Sequence, residues 1–189
     1  SGKICIYSIH YQHEVKELLI HIDRSQKPRT SCISVHLGSS ENETKLIDEH
    51  LLIEALPLKQ KLHIFEPHGG LNVVRLQHTI ATRPDMKSLV HNHTLFSTYA
   101  EVPEAWGRSK KVIKTVEGSL KEVKRSLSKS GYSTASVTTK GDFNWKGRRV
   151  TGDAIRKELN LKESNKYTLF VIPMKNSNKI SAWLTETIC

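Results

Sequence analysis

Cysteine is scarce: Cys5, Cys32 and Cys189 are the three in a chain of 189 residues. No two stand in a CxxC spacing, which excludes a zinc ribbon or a dithiol redox motif. A sparse, odd set also argues against a disulfide scaffold and for a reducing, intracellular compartment, the cytoplasm or the nucleus. No apolar run reaches the roughly 20 residues of a bilayer-spanning helix. The opening SGKICIYSIHYQHE has no apolar h-region and no small-residue cleavage site, so no secretory signal is expected. Ser1 replaces an initiator methionine, so a processed or trimmed chain, or one cut from something longer, is expected. GxSxG, GxxxxGK[ST] and GxGxxG are all missing, which removes the nucleophile elbow, the P-loop and the dinucleotide fingerprint. Nothing implies a cofactor.

Acidic residues are short in one place only. The net charge is +10 with histidine neutral, and residues 108–149 supply +9 of it, from 12 Lys+Arg against 3 Asp+Glu. Residues 1–107 sum to −1 and residues 150–189 to +2. Histidine is absent beyond His93, so a near-neutral, histidine-rich front precedes a basic middle. Such asymmetry implies a polyanionic partner, nucleic acid or an anionic membrane surface. Hydrophobic residues make up 37% and charged residues 25%, enough for one globular domain with its own core.

Periodicity predicts an α+β chain, a single domain with a mostly antiparallel sheet and about three helices. Its parts are the front 1–107, the basic helix and loop 108–149, and a C-terminal helix and β-hairpin 150–189. Strands are expected at 3–9, 32–38, 61–67, 88–96, 132–139, 167–173 and 180–188; residues 15–22 fit a strand or a helical face. Ser40 and Glu43 form a capping-box pattern for a helix that buries Leu46, Ile47, Leu51 and Ala55 and stops before Pro57. Gly69 and Gly70 predict a tight turn joining 61–67 to a strand in 71–82. Ile113, Val116, Leu120, Val123 and Leu127 recur at steps of 3, 4, 3 and 4 and predict a helix over 109–129, closed by Gly131. A third helix is expected at 152–161, capped by Thr151 or Asp153.

The stretch SLVHNHTLF (88–96) contains the letters His-Asn-His. A ββα-metal nuclease spreads those residues over two elements, so three adjacent letters do not make one. Two histidines flanking a hydrophobic residue, ahead of a helical tyrosine, is the nearer pattern. Asn92 breaks it, and neither Tyr99 nor Tyr132 falls on an expected helix. No metal is expected, since no carboxylate or cysteine sits at a diagnostic offset; the candidate ligands, if any, are His63, His78, His91 and His93 on consecutive expected strands. The triplets 14–16, 43–45, 85–87 and 122–124 match (D/E)xK but lack a strand with a second acidic partner.

The cations carry the functional expectation. Lys110, Lys111, Lys114, Lys121, Lys124, Arg125 and Lys129 lie opposite the apolar seam of the expected helix. In the loop 140–149, Phe143 and Trp145 stand beside Lys146, Arg148 and Arg149, where rings could stack on bases and guanidinium groups pair with phosphates. The expected function is therefore a non-enzymatic nucleic-acid-binding protein that contacts the phosphate backbone of RNA or DNA. The alternatives are a matrix-like scaffold that self-assembles as a homo-oligomer on an anionic membrane, and a metal-dependent nuclease.

Overall fold

Strand formation begins at once, where isoleucines alternate with polar residues. The computed structural model describes residues 3–11, 14–25, 29–37, 45–48, 51–52, 55–141, 144–145, 148–174 and 177–186. The fold is α+β, with largely antiparallel sheets and some parallel pairs. Its residues divide into two compact units, and the chain passes between them within two of its strands.

In the first unit, β1 (Lys3–Tyr11) lies between β2 (Glu14–Asp23), antiparallel to it, and β3 (Arg29–Leu37), parallel to it. The ambiguous stretch 15–22 is thus a strand. β4 (Lys45–Ile47) closes the far side, in the order β2-β1-β3-β4. The expected helix from Ser40 is corrected in its first half only: Leu51 and Leu52 are helical, with the Leu52 N–H on the Asp48 carbonyl at 3.2 Å. Ser40 and Glu43 lie outside the described residues, and Leu46 and Ile47 pair with Val35 and Ser34 in the sheet. Pairing along β3 overrides the local helical pattern.

β5 (Leu58–Pro67) leads into two short helices, α1 (Gly69–Val73) and α2 (Gln77–Ala81), where a hairpin was expected. Leu71, Val74, Leu76 and Ile80 are buried from these turns. They join Phe65, Phe96 and Trp106 in one core, together with Ile6 and Cys32 from the sheet. Ser8 Oγ donates to the Gly70 carbonyl at 2.8 Å, tying α1 to β1. β6 (Met86–Ser88) and β7 (Phe96–Ala100) pair antiparallel.

The second unit centres on a sheet in the order β8-β13-β12-β9, formed by β8 (Gly107–Gly118), β13 (Ile180–Glu186), β12 (Tyr167–Pro173) and β9 (Ser136–Thr139). Only β12 and β9 run parallel among these pairs. One face carries α3 (Leu120–Lys129) and α4 (Gly152–Leu159), which bury Val123, Leu127, Ile155 and Leu159 against Leu169, Val171, Ala182 and Leu184. Ile64, Val90, Leu95, Phe170 and Ile172 form a separate cluster.

The helix expected over 109–129 is half right. Residues 109–118 are strand, and helix begins only after Ser119. The β-branched run at 112–116 favours extended backbone, and Gly118, at φ 154, ends it. Ser119 then forms a full capping box: its hydroxyl accepts from the Glu122 N–H at 3.3 Å, and its own N–H donates to the Glu122 carboxylate at 2.7 Å. The Ser119 backbone bond, then its hydroxyl bond at 2.8 Å, hold the Glu122 carboxyl below the ordinary glutamate value. A depressed carboxylate stabilises above its unfolded pKa, and that help is lost as pH falls through the folded pKa. Ser119→Ala should therefore cost about 1 kcal/mol at neutral pH. The gap between wild type and variant should narrow in acid. Urea titrations at pH 7 and pH 3 read it, and equal gaps would refute the coupling.

Candidate functional site

The exposed face of α3 carries four cations. Leu120, Val123 and Leu127 turn inward, so Lys121, Lys124, Arg125 and Lys129 project to solvent from one helical face. Four cations stand there against one acid of the same helix, Glu122, whose carboxylate keeps its charge while it accepts from Ser119. Lys124 Nζ also reaches the Glu158 carbonyl on α4, at 3.2 Å.

The three lysines ahead of Gly118 are placed differently from expectation, because they stand on a strand. Lys114 donates to the Ser126 carbonyl at 3.3 Å and to Ser130 Oγ, which sets a cation beside the carbonyl end of α3. Lys110 faces the opposite side of the sheet, where it donates to Thr168 Oγ1 at 2.7 Å and lies 5.8 Å from the Phe170 ring centre. Lys111 is half-buried and stands opposite Glu186 in register. A strand bulge near Leu184 sets this pattern. The single seven-cation face is thus corrected to four on α3, with Lys114 tethered at its end.

Phe143 and Lys146 lie outside the described residues. Trp145, Arg148 and Arg149 do not sit in an open loop. β10 (Asn144–Trp145) and β11 (Arg148–Arg149) form a small antiparallel ribbon, pairing Trp145 with Arg148 and Asn144 with Arg149.

A cavity of about 240 Å³ opens beside the cationic face, lined by Lys124, Ser128, Tyr132, Ser133 and Asn160 among others. Asn160 adopts the left-handed conformation, φ 59, that ends α4, with its N–H bonded to the Lys157 carbonyl. The sequence reading missed this hollow. Asn after Leu159 was the available cue, as an αL helix end.

In the first unit a cavity of about 270 Å³ is lined by Glu66, His68, Asn72 and Arg108. His68 is buried and its Nε2 hydrogen-bonds the Glu104 carbonyl at 2.8 Å. Asn72 Oδ1 is buried without a hydrogen-bond partner. Reading Gly69-Gly70 as a turn hid this hollow, because the residues around it meet only once α1 forms. Both cavities are small beside the roughly 300–1,000 Å³ clefts that hold cofactor-sized molecules, and the one beside α3 is part apolar, with Leu127, Leu159 and Leu161 in its wall.

The histidines do not converge. His63 is buried on β5, and His78 is exposed on α2. His91 and His93 lie in a turn, not on one strand face: Leu89 N–H bonds the Leu95 carbonyl, and His93 sits at φ 54. Among the described residues, no group of three or more His, Cys, Asp or Glu could hold a metal ion. The expectation that His91 and His93 share one face of a strand is corrected accordingly. None of the described helices is long and apolar enough to cross a membrane.

No family model matches the chain, and no curated protein matches it. The chain is similar in fold to a solved structure reported as "Crystal structure of putative methyltransferase from Porphyromonas gingivalis W83", with a TM-score of 0.67 and 18% identity. The match covers 97% of this chain and 45% of that one. The chain therefore spans less than half the length of the protein it resembles. At 18% identity the likeness establishes a shared fold. It overturns the expectation of a non-enzymatic nucleic-acid-binding protein, because the fold occurs within a protein described as an enzyme.

Proposed function

We propose that the chain is the substrate-holding part of a methyl-transferring enzyme. The observation that supports this most is the fold match at a TM-score of 0.67 over 97% of the chain, within a protein more than twice as long. The described cavities, about 270 and 240 Å³, do not suit a methyl donor that carries a nucleoside. This reading assigns donor binding and the transfer step to further residues of such an enzyme.

What this chain would supply is a grip on an anionic substrate. Lys121, Lys124, Arg125 and Lys129 give a cationic helix face, and Arg148 and Arg149 add charge nearby in sequence. Nucleic acid is the substrate this favours, held by its phosphates while another surface presents the reacting atom. Each neutralised phosphate releases counterions, so the grip weakens steeply with salt. Neither Cys5 nor Cys32 is in a disulfide, which suits work in a reducing compartment.

The test is methyl transfer. The protein, with all the residues it carries in the cell, is incubated with tritiated S-adenosylmethionine and total nucleic acid. Label is expected in the nucleic acid, and its absence with every polyanion offered would sink the proposal. Lys121→Ala/Lys124→Ala should weaken binding about tenfold at moderate salt and lower the salt slope by about 2, with donor binding unchanged. Filter binding across a salt series reads both, and an unchanged slope would move the grip elsewhere.

A further inference from the structure

Strand β2 is outermost in its sheet and solvent-facing along nearly all its length, yet its sequence is that of an interior strand. Val15, Leu18, Leu19, Ile20 and Ile22 are exposed by 38, 50, 44, 62 and 55%. Register shows where they point. Ile22, Ile20 and Leu18 stand opposite Ile4, Ile6 and Ser8. Ile6 packs on the core of the unit and Ser8 bonds to Gly70, so these three share the core-side face. The register shift at Ile9/His10 then brings Val15 opposite His10, and so onto the same side. Leu19, opposite Tyr7, points to the other side.

Two physical arguments say that something covers this strand. An edge meant for water is blunted with lysine, proline or inward charge. Here Lys16 is the lone cation of β2, and it pairs with Glu14 at the strand's start, at 2.7 Å. Leu18, Leu19 and Ile20 instead put apolar groups on both faces in succession, as in strands buried on both sides.

A second copy joined edge to edge would satisfy the free backbone of β2. It would leave Leu18, Ile20 and Ile22 open on one side and Leu19 on the other. A partner that adds a strand and also brings covering helices buries all of them. We infer that β2 is an interior strand of a larger sheet, completed by a strand and flanking helices from the donor-binding part of the same enzyme. This rests on the function proposed above and on the 45% of the matched protein that the chain accounts for.

Hydrogen exchange of the peptide spanning β2 tests it, on the 189-residue chain and on the protein with all its cellular residues, with sedimentation velocity alongside. The 189-residue chain is expected to be monomeric, with β2 amides exchanging at least ~100-fold faster than those of β1. In the longer protein the same amides should slow by a similar factor, and Ile20→Lys should remove that protection. Fast exchange in the longer protein overturns the inference. So does a 189-residue chain that sediments as a dimer with β2 protected and becomes monomeric on Ile20→Lys, which would make a second copy the occupant. The two readings fail separately: protection without methyl transfer sinks the enzyme, and transfer without protection sinks the strand.

Discussion

Asp85→Ala is expected to destabilise the first unit by about 3–5 kcal/mol, the cost of leaving a buried charge without its partner. The Arg83 side chain is 5% exposed. Its Nε and Nη2 donate to the two Asp85 oxygens at 2.8 and 2.7 Å, a bidentate fork. Its Nη1 donates to the Leu52 carbonyl, and its guanidinium lies 5.6 Å from the Trp106 ring centre. Arginine cannot shed its proton to relieve the burial. Removing the carboxylate therefore forces water in or drives Arg83 out of the core. Replacing both partners, as Arg83→Met/Asp85→Leu, should cost far less, because no uncompensated charge remains. Urea unfolding followed by tryptophan fluorescence measures both variants. A single-variant loss below about 1 kcal/mol would mean that solvent reaches Arg83, as at a surface pair.

That fork was not legible in the sequence, where Arg83-Pro84-Asp85 stood out only for the triplet 85–87. Burial made it, and burial came from α1 and α2, which the Gly-Gly pair concealed behind a hairpin pattern. The strands of the second unit were legible because YTLFVIP and ISAWLTE carry apolar runs bounded by turn residues. The 109–129 seam was misread in an instructive way. Val116, Leu120, Val123 and Leu127 do meet in one core, but Val116 reaches it from a strand and the others from a helix. Contacts at i and i+3 or i+4 are satisfied by either route, so the period alone could not separate them. The Ser119–Glu122 box was the signal that could have. The cation site inherited the error: Lys121, Lys124, Arg125 and Lys129 kept their shared face, while Lys110 lost it with the helix. The SLVHNHTLF stretch was read as a strand from its apolar ends, and the bond between Leu89 and Leu95 that folds it into a turn is invisible at that level.

Gly152→Ala sets two effects of opposite sign against each other. Gly152 is the first residue of α4, after the Thr151 cap, whose hydroxyl accepts from the Ala154 N–H at 3.3 Å. Helix propensity alone favours alanine, by up to about 1 kcal/mol in a helix interior and less in a first turn. Packing opposes it. A Cβ at Gly152 would stand 2.1 Å from the Val137 carbonyl oxygen and 3.0 Å from its carbon, on β9. Both obstacles are backbone, so no rotamer change can make room. α4 or β9 must move, and β9 is held to β12 through Thr168 to Val171. The collision should win, for a net loss of about 3 kcal/mol, the upper part of the overpacking range. In thermal melts that is a fall of roughly 6–12 °C. Gly131 supplies the contrast. A Cβ there meets nothing within 4 Å, but its φ of 78° lies in the left-handed region. Its penalty is conformational, about 1–2 kcal/mol for alanine, and asparagine should recover much of it. At Gly152 asparagine should do no better than alanine, since the obstacle is space. Rescue of Gly152 by asparagine would show that backbone conformation, and not the approach of α4 to β9, selects glycine there. A displaced α4 would also pull the Glu158 carbonyl from Lys124. Gly152→Ala should therefore loosen the cationic face as well as the core, readable as faster exchange of the α4 amides.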